Sequence, residues 1–325
     1  MALIDAFDRR ISYLRLSVTD RCDLRCFYCL PEGHHDYEVP ENWLNADEIE
    51  RLVSIFAAMG VTRVRLTGGE PLVRRGIGDL ARRIAAVPQI EDLSLSTNAH
   101  RLAGMANELH DAGVSRLNVS LDTLRPERFR EITKGCLDKV IDGLIAAKKA
   151  GFTPIKINTV LMRGINDDEV DDIIDFCIEH DFTLRFIETM PVGSTGQGAS
   201  DHYLSLDTVR RELGQRYDLT PAVSQGGGPA RYVRINGTRL KIGFITPISQ
   251  HFCETCNRVR LSVDGTLYLC LGQNDRVELR PLLRQGASDA EITDAIREAV
   301  MAKPERHEFN SKREQVIRFM AQTGG

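Results

Sequence analysis

Two short groups of cysteines carry the chemistry that can be read from this chain. Cys22-Asp-Leu-Arg-Cys26-Phe-Tyr-Cys29 spaces three thiols as C-x3-C-x2-C, and Cys253-Glu-Thr-Cys256, followed by Cys270, spaces three more as C-x2-C-x13-C. The two remaining cysteines, Cys136 and Cys177, stand alone and read as buried apolar thiols. Grouped cysteines in a reducing compartment are metal ligands more often than disulfides. Three thiolates match three corners of a cubane [4Fe–4S] cluster and leave one iron without a protein ligand. An open metal position can bind a small molecule. A structural zinc ion or a ferredoxin-type cluster wants a fourth ligand. His34 and His35 are the nearest candidates beside the first group. Beside the second none is evident, although C-x2-C is also half of a zinc knuckle.

Basic residues form the other candidate site. Arg258 and Arg260 share one strand face by period-2 alternation and follow Cys256 directly. Arg15 and Lys156 lie on the polar parity of their own β-rich runs, and Arg65 stands just before Thr67-Gly68-Gly69-Glu70-Pro71. These are five cations in a chain whose net charge is −4. Arginine forks match phosphate oxygens, and a nucleoside triphosphate needs several of them. The alternative is that each is an ordinary surface or ion-paired residue.

The elements that must position these groups follow a strand–helix rhythm. Six β-rich runs, 12–19, 63–67, 92–97, 116–121, 155–161 and 183–189, alternate with amphipathic stretches at 46–59, 77–86, 102–112, 137–150 and 169–180. Such alternation argues for parallel strands joined by right-handed crossovers. Six units are too few for a closed eight-fold barrel, so the expected fold is α/β, a partial (βα)6 TIM-like barrel. Its strands do not read as the unbroken apolar runs of a sheet covered on both faces. Tyr13, Arg15, Ser17 and Thr19 alternate with Leu14, Leu16 and Val18, and Asn118, Ser120 and Asp122 with Leu117, Val119 and Leu121. A polar barrel interior is costly unless water or a ligand satisfies it, so the barrel should hold a large polar substrate.

After Met190 the pattern changes. A glycine-rich loop is expected at 193–200, a helix at 206–216, hairpins turning at Asn236-Gly237 and Asp264-Gly265, and a helix near 289–302. Residues 1–200 thus form the barrel, and 201–325 a smaller α+β domain covering its open side. At 325 residues, with 42% hydrophobic and 27% charged, the composition is that of a soluble globular protein. The net charge offers no general attraction to nucleic acid or to an anionic membrane. No apolar run approaches a membrane span, and residues 1–10 contain no signal-peptide core. A cytoplasmic location is expected.

The Cys22–Cys29 spacing, with Tyr28 before the third cysteine and the Gly68-Gly69 turn after the second strand, resembles the radical S-adenosylmethionine (SAM) superfamily. Leu66–Pro71, Val119–Asp122, Lys156-Ile-Asn158, Phe186–Pro191, Phe252–Leu261 with Cys270, and the terminal Gly324-Gly325 extend the likeness over nearly the whole chain, to the GTP 3′,8-cyclase family that opens molybdenum cofactor biosynthesis. Leu30 stands where that family commonly has Met, an apolar exchange. The resemblance implies that Cys22, Cys26 and Cys29 hold the cluster that binds SAM, and Cys253, Cys256 and Cys270 an auxiliary [4Fe–4S] cluster. It implies SAM contacts at Tyr28, Gly69, Ser120 and Met190, and GTP contacts at Arg15, Arg65, Thr97, Lys156, Arg258 and Arg260, with the guanine at the open auxiliary iron. It further implies catalytic roles for Arg258, Arg260 and the tail residues Gly324 and Gly325, which insert into the active site. SAM cleavage gives a 5′-deoxyadenosyl radical that takes the ribose 3′ hydrogen, after which C3′ attacks guanine C8. The implied partners are an external one-electron reductant and cyclic pyranopterin monophosphate synthase downstream, for a monomer or homodimer that binds neither nucleic acid nor membrane.

Two other readings compete. A peptide-modifying radical SAM enzyme usually carries a longer cysteine-rich C-terminal region than the three cysteines here. A two-cluster electron carrier or zinc-bearing RNA-binding protein explains neither the polar barrel interior nor the absence of a basic stripe.

Overall fold

A computed structural model describes residues 2–31, 40–224, 228–309, 316 and 318–324. The six expected strands are β1 (Tyr13–Ser17), β2 (Arg63–Thr67), β3 (Asp92–Thr97), β4 (Arg116–Ser120), β5 (Ile155–Val160) and β6 (Thr183–Ile187). They pair in chain order and all in parallel. The helices between them are α1 (Ala46–Ala58), α2 (Ile77–Ala85), α3 (Ala106–Asp111), α4 (Pro126–Thr133), α5 (Leu137–Lys149) and α6 (Val170–Glu179). Local chemistry starts α1: the Asn45 side chain accepts the Glu48 N–H at 2.8 Å, and the Glu48 carboxylate accepts the Asn45 N–H at 2.9 Å. Its buried stripe of Ile49, Leu52, Val53 and Phe56 joins one core with Leu14, Leu16, Val64 and Leu66 of the sheet. Each such side chain contributes about 1.5–3 kcal/mol on burial.

Beyond β6 come α7 (Gly193–Ala199), α8 (Leu206–Arg216), β7 (Leu219–Ala222), β8 (Arg231–Ile235), β9 (Lys241–Ile245), β10 (Arg258–Leu261), β11 (Thr266–Tyr268), β12 (Arg276–Glu278), α9 (Arg280–Arg284), α10 (Asp289–Met301) and α11 (Met320–Thr323). The strands of this C-terminal third do not form a sheet of their own. β10 lies parallel to β1, with Arg260 opposite Arg15, and β9 lies parallel to β6. Both expected hairpins are present, β8–β9 and β10–β11. The sheet order among the described residues is β12-β11-β10-β1-β2-β3-β4-β5-β6-β9-β8-β7. The six-unit partial barrel is therefore widened at both edges by strands from beyond residue 200.

Two helices depart from the expectation. Residues 193–199 form α7 rather than a loop, because their glycines let the helix lie against backbone: a Cβ on Gly196 would stand 2.5 Å from the Met190 carbonyl oxygen. α4, with Pro126 in its first turn, has too short an apolar pattern to read in advance. Cys177 is buried as expected, but Cys136 is exposed, because it stands outside the body of α5 as its N-cap. No helix among the described residues is long and apolar enough to cross a membrane.

Candidate active site

The loop after β1 and the turn after β2 build the first cavity at the C-terminal ends of the strands, where barrel active sites form. Cys22, Cys26 and Cys29 line it together with Tyr28, Gly68, Gly69, Glu70, Thr97, Ser120 and Met190. The glycines seat one loop on the other. Gly68 has φ +143°, and a Cβ there would stand 2.1 Å from the Thr19 carbonyl oxygen; one on Gly69 would be 2.1 Å from that of Arg21. In exchange Gly69 N–H donates to Thr19 O at 2.9 Å and Glu70 N–H to Arg21 O at 2.6 Å. Glu70 is buried and accepts from Thr97 Oγ1 (2.8 Å), Asn98 N (2.6 Å) and Leu72 N (3.0 Å). Burial pushes its carboxyl up to about 7 against those donors. The Tyr28 hydroxyl donates to Asp122 Oδ2 at 2.5 Å, and burial pushes Asp122 up to about 6.

The second cavity contains the other thiol trio and an unusual concentration of cations. Arg15, Arg65, Arg185, Arg258 and Arg260 line it with Cys253, Cys256 and Cys270, and among the described residues no carboxylate lines it. Strand register explains the convergence: Arg260, Arg15 and Arg65 stand side by side on β10, β1 and β2. All five arginines are buried, and the Nε of Arg15 and of Arg65 has no hydrogen-bond partner among the described residues. Burial, then Arg260 and Arg65, holds the Arg15 guanidinium well below its ordinary range, and burial with Arg258 brings Arg260 down to about 9. Lys156 is buried deeper, with Nζ donating to Ser224 Oγ at 3.4 Å. Burial, then Arg185, Arg116 and Arg65, lowers it to about 7. A smaller hollow lined by Tyr13, Arg63, Arg65, Arg116 and Arg185 adjoins these residues, and the buried Tyr13 hydroxyl has no described partner. Asp92 also lines that hollow and is paired with Arg116, whereas the arginines at the thiol trio have no carboxylate among their described neighbours in the cavity wall and favour an anionic ligand.

Asn158, Ile187 and Met190 belong to both cavities, so the two thiol sites open onto one another. The chain end closes over the junction. Met320 lines the first cavity. Arg260 donates to the carbonyl oxygens of Thr323 (3.2 Å) and Gly324. Gly324 has φ +70°, and a Cβ on it would fall 2.3 Å from the Thr67 side chain. Arg318 ties this tail to the second trio through the carbonyls of Cys270 (2.9 Å) and Leu271 (2.6 Å). On the far side Arg9, paired with Asp5 at 2.6 Å, donates to the Cys253 carbonyl at 2.9 Å.

The structure thus brings together most of the expected site. Two residues depart: Thr97 stands on the wall of the first cavity, not among the arginines, because its hydroxyl is held by Glu70, and Lys156, buried behind the wall against Ser224, lines neither cavity. Gly325 and the candidate fourth ligands His34 and His35 lie outside the described residues. Glu70, Asp122, Arg63, Arg185, Arg9, Lys303 and Arg318 were not anticipated. Arg185, Arg63 and Asp122 carry the same alternation signal on or beside their strands as Arg15 does on β1, and Glu70 stands in the glycine-turn motif; Arg9, Lys303 and Arg318 carry none.

The donor sets fit iron–sulfur cubes. All six thiols are free, and each trio faces a single cavity. Among the described residues no three Cys, His, Asp or Glu side chains are drawn together tightly enough for a single ion, as a zinc site requires. Burial pushes Cys29 up to about 12, so this thiol loses its proton most readily to a bound metal.

Comparison with known proteins decides the family. Residues 16–177 match the Radical SAM superfamily, and residues 182–309 match Molybdenum Cofactor Synthesis C. The GTP 3′,8-cyclase of Paracoccus denitrificans is 48% identical over 333 residues, covering 99% of this chain and 96% of that one. GTP 3′,8-cyclase 1 of Pseudomonas aeruginosa is 49% identical over 326 residues, covering 99% of each chain. The chain belongs to the GTP 3′,8-cyclase family. As a member it uses two [4Fe–4S] clusters and SAM, for which the two trios and the joined cavities are fitted. SuiB of Streptococcus suis, in its crystal structure bound to S-adenosylmethionine, superposes with a TM-score of 0.64 at 17% identity, covering 90% of this chain and 69% of that one. That likeness concerns the fold alone. The arginine cavity must be read on its own chemistry.

Proposed function

We propose that this chain converts GTP to (8S)-3′,8-cyclo-7,8-dihydroguanosine 5′-triphosphate, a lyase reaction that joins ribose C3′ to guanine C8 and opens molybdopterin and molybdenum cofactor biosynthesis. One observation carries the reading: five buried arginines, with no carboxylate lining the cavity among the described residues, converge on the second thiol trio, in a cavity that shares its wall with the first. The group bound by Cys22, Cys26 and Cys29 supplies one-electron cleavage of SAM and so an adenosyl radical able to take the ribose 3′ hydrogen. Tyr28, Gly69, Ser120 and Met190 hold SAM against that trio. Arg15, Arg65 and Lys156 take the phosphates, supplemented by Arg63 and Arg185. Thr97 meets the nucleotide from the first cavity's wall. Cys253, Cys256 and Cys270 hold the auxiliary cluster at the guanine end.

Arg258 and Arg260 clamp the substrate between the phosphates and that cluster. Arg260 also grips the tail at Thr323 and Gly324, so the tail covers the junction and keeps water from the reacting ribose; Gly325 is assigned to the same role. Residues 1–200 serve as the SAM barrel and 201–325 as the auxiliary-cluster domain. The protein works in the cytoplasm as a monomer or homodimer, takes its electron from an external one-electron reductant, and passes its product to cyclic pyranopterin monophosphate synthase; nucleic acid and membrane are not partners.

The test is anaerobic incubation of the reconstituted protein with SAM, a reductant and GTP. Equal amounts of 5′-deoxyadenosine and a cyclised nucleotide are expected. Deoxyadenosine without a cyclised nucleotide, or equal yields from ATP, overturns the proposal.

A further inference from the structure

Lys303 follows α10, is 3% exposed, and has no part in the roles assigned above. It lines the second cavity at the thiol trio, and of the surrounding cations it acts most strongly on Cys256. One of its N–H groups is donated to the Leu269 carbonyl oxygen. An ammonium has three donors and no acceptor. Among the described residues no carboxylate pairs with it. The five arginines of the cavity present planar forks suited to phosphate, whereas a lysine is a compact point of charge. A buried ammonium at the thiol trio, where the proposed reading puts the base, is placed for a single oxygen acceptor of that base.

We propose that Lys303 reads the purine, donating to O6 of guanine at the auxiliary cluster and so selecting guanine over adenine. The inference rests on the reading that the base of GTP lies at the second trio. Guanine offers O6 and N7 as acceptors on the edge where adenine carries its N6 amino donor. Adenine would set donor against donor in a buried place and leave both unsatisfied. A site built to bond one substrate atom rejects the analogue lacking it more sharply than shape alone does.

The experiment is equilibrium binding to full-length, anaerobically reconstituted protein with SAM and no reductant, with iron counted on every sample. The ligands are GTP, inosine triphosphate, ATP and 2-aminopurine riboside triphosphate; the first two carry O6 and the others do not. Wild type should bind the O6 pair roughly tenfold or more tightly than the others. Lys303→Met should lose about 10–100-fold for the O6 pair alone, while retaining about eight irons from two cubanes. Lys303→Arg should restore the preference in part. An unchanged GTP-to-ATP ratio in Lys303→Met overturns the proposal, and so does loss of about four irons, which makes Lys303 a support of the cluster loop. A wild type that does not prefer GTP to ATP refutes instead the placement of the base, whatever the variants do.

Discussion

Replacing Arg15 by methionine separates a cation kept for a ligand from one kept for the fold. Arg15 is 9% exposed, and among the described residues its Nε has no partner and no carboxylate pairs with it. Burial, Arg260 and Arg65 all work against its charge. In the ligand-free protein this guanidinium is a burden. Replacing buried charge by an apolar side chain of similar volume is commonly neutral or stabilising by about 1–4 kcal/mol. For the ligand the sign reverses, since a charged hydrogen bond contributes about 1.5–3 kcal/mol, or roughly 10–150-fold in affinity. Arg15→Met should therefore unfold no earlier in denaturant than wild type without GTP, bind GTP at least tenfold more weakly, and gain less stability from added GTP. Anaerobic denaturant titrations with and without GTP, beside equilibrium binding, measure all three. A variant that loses about 3–5 kcal/mol, the cost of breaking a buried ion pair, while binding GTP normally would refute the reasoning and make Arg15 structural.

Arg258→Ala and Arg260→Ala should each abolish GTP cyclisation while SAM cleavage persists; chromatography of deoxyadenosine and nucleotide decides, and normal cyclisation by both removes the phosphate assignment. Gly324→Ala forces a Cβ to within 2.3 Å of Thr67 at φ +70°, so the tail must leave its seat. Iron content should be unchanged and single-turnover cyclisation at least about tenfold slower, and an unaltered rate would place the tail outside the chemistry. Lys156, at about 7 without ligand, returns toward its ordinary value beside phosphate. Above pH 7 the free protein lacks a proton that the complex holds, so GTP binding at pH 8 should take up a proton and weaken as pH rises further. Calorimetry in two buffers of different ionisation enthalpy measures the uptake. Its persistence in Lys156→Met would assign it elsewhere.

Which residues belong to the chemistry was partly legible because two kinds of information are local. Thiol spacing is a matter of chain length between ligands, and the spacings of Cys22–Cys29 and Cys253–Cys270 already favour cubes over disulfides. Strand alternation is equally local: a period of two assigned Arg15 and Lys156 to the inward face before any neighbour was known. Arg185 obeys the same rule.

What the sequence by itself determined, then, was ligand type, strand count in the barrel and which side chains face inward. Tertiary structure decided what those side chains meet. β10 joins β1 in parallel, which sets Arg260 beside Arg15. Lys303 and Cys256, 47 positions apart in the numbering, meet on one cavity wall. Glu70 faces Thr97 and Asn98 across strand ends, and Gly324 rests on Thr67 from the far end of the chain. The reason is physical: periodicity and spacing follow from bonds along the backbone, whereas these encounters depend on how loops from distant segments pack, and no short-range pattern encodes that distance.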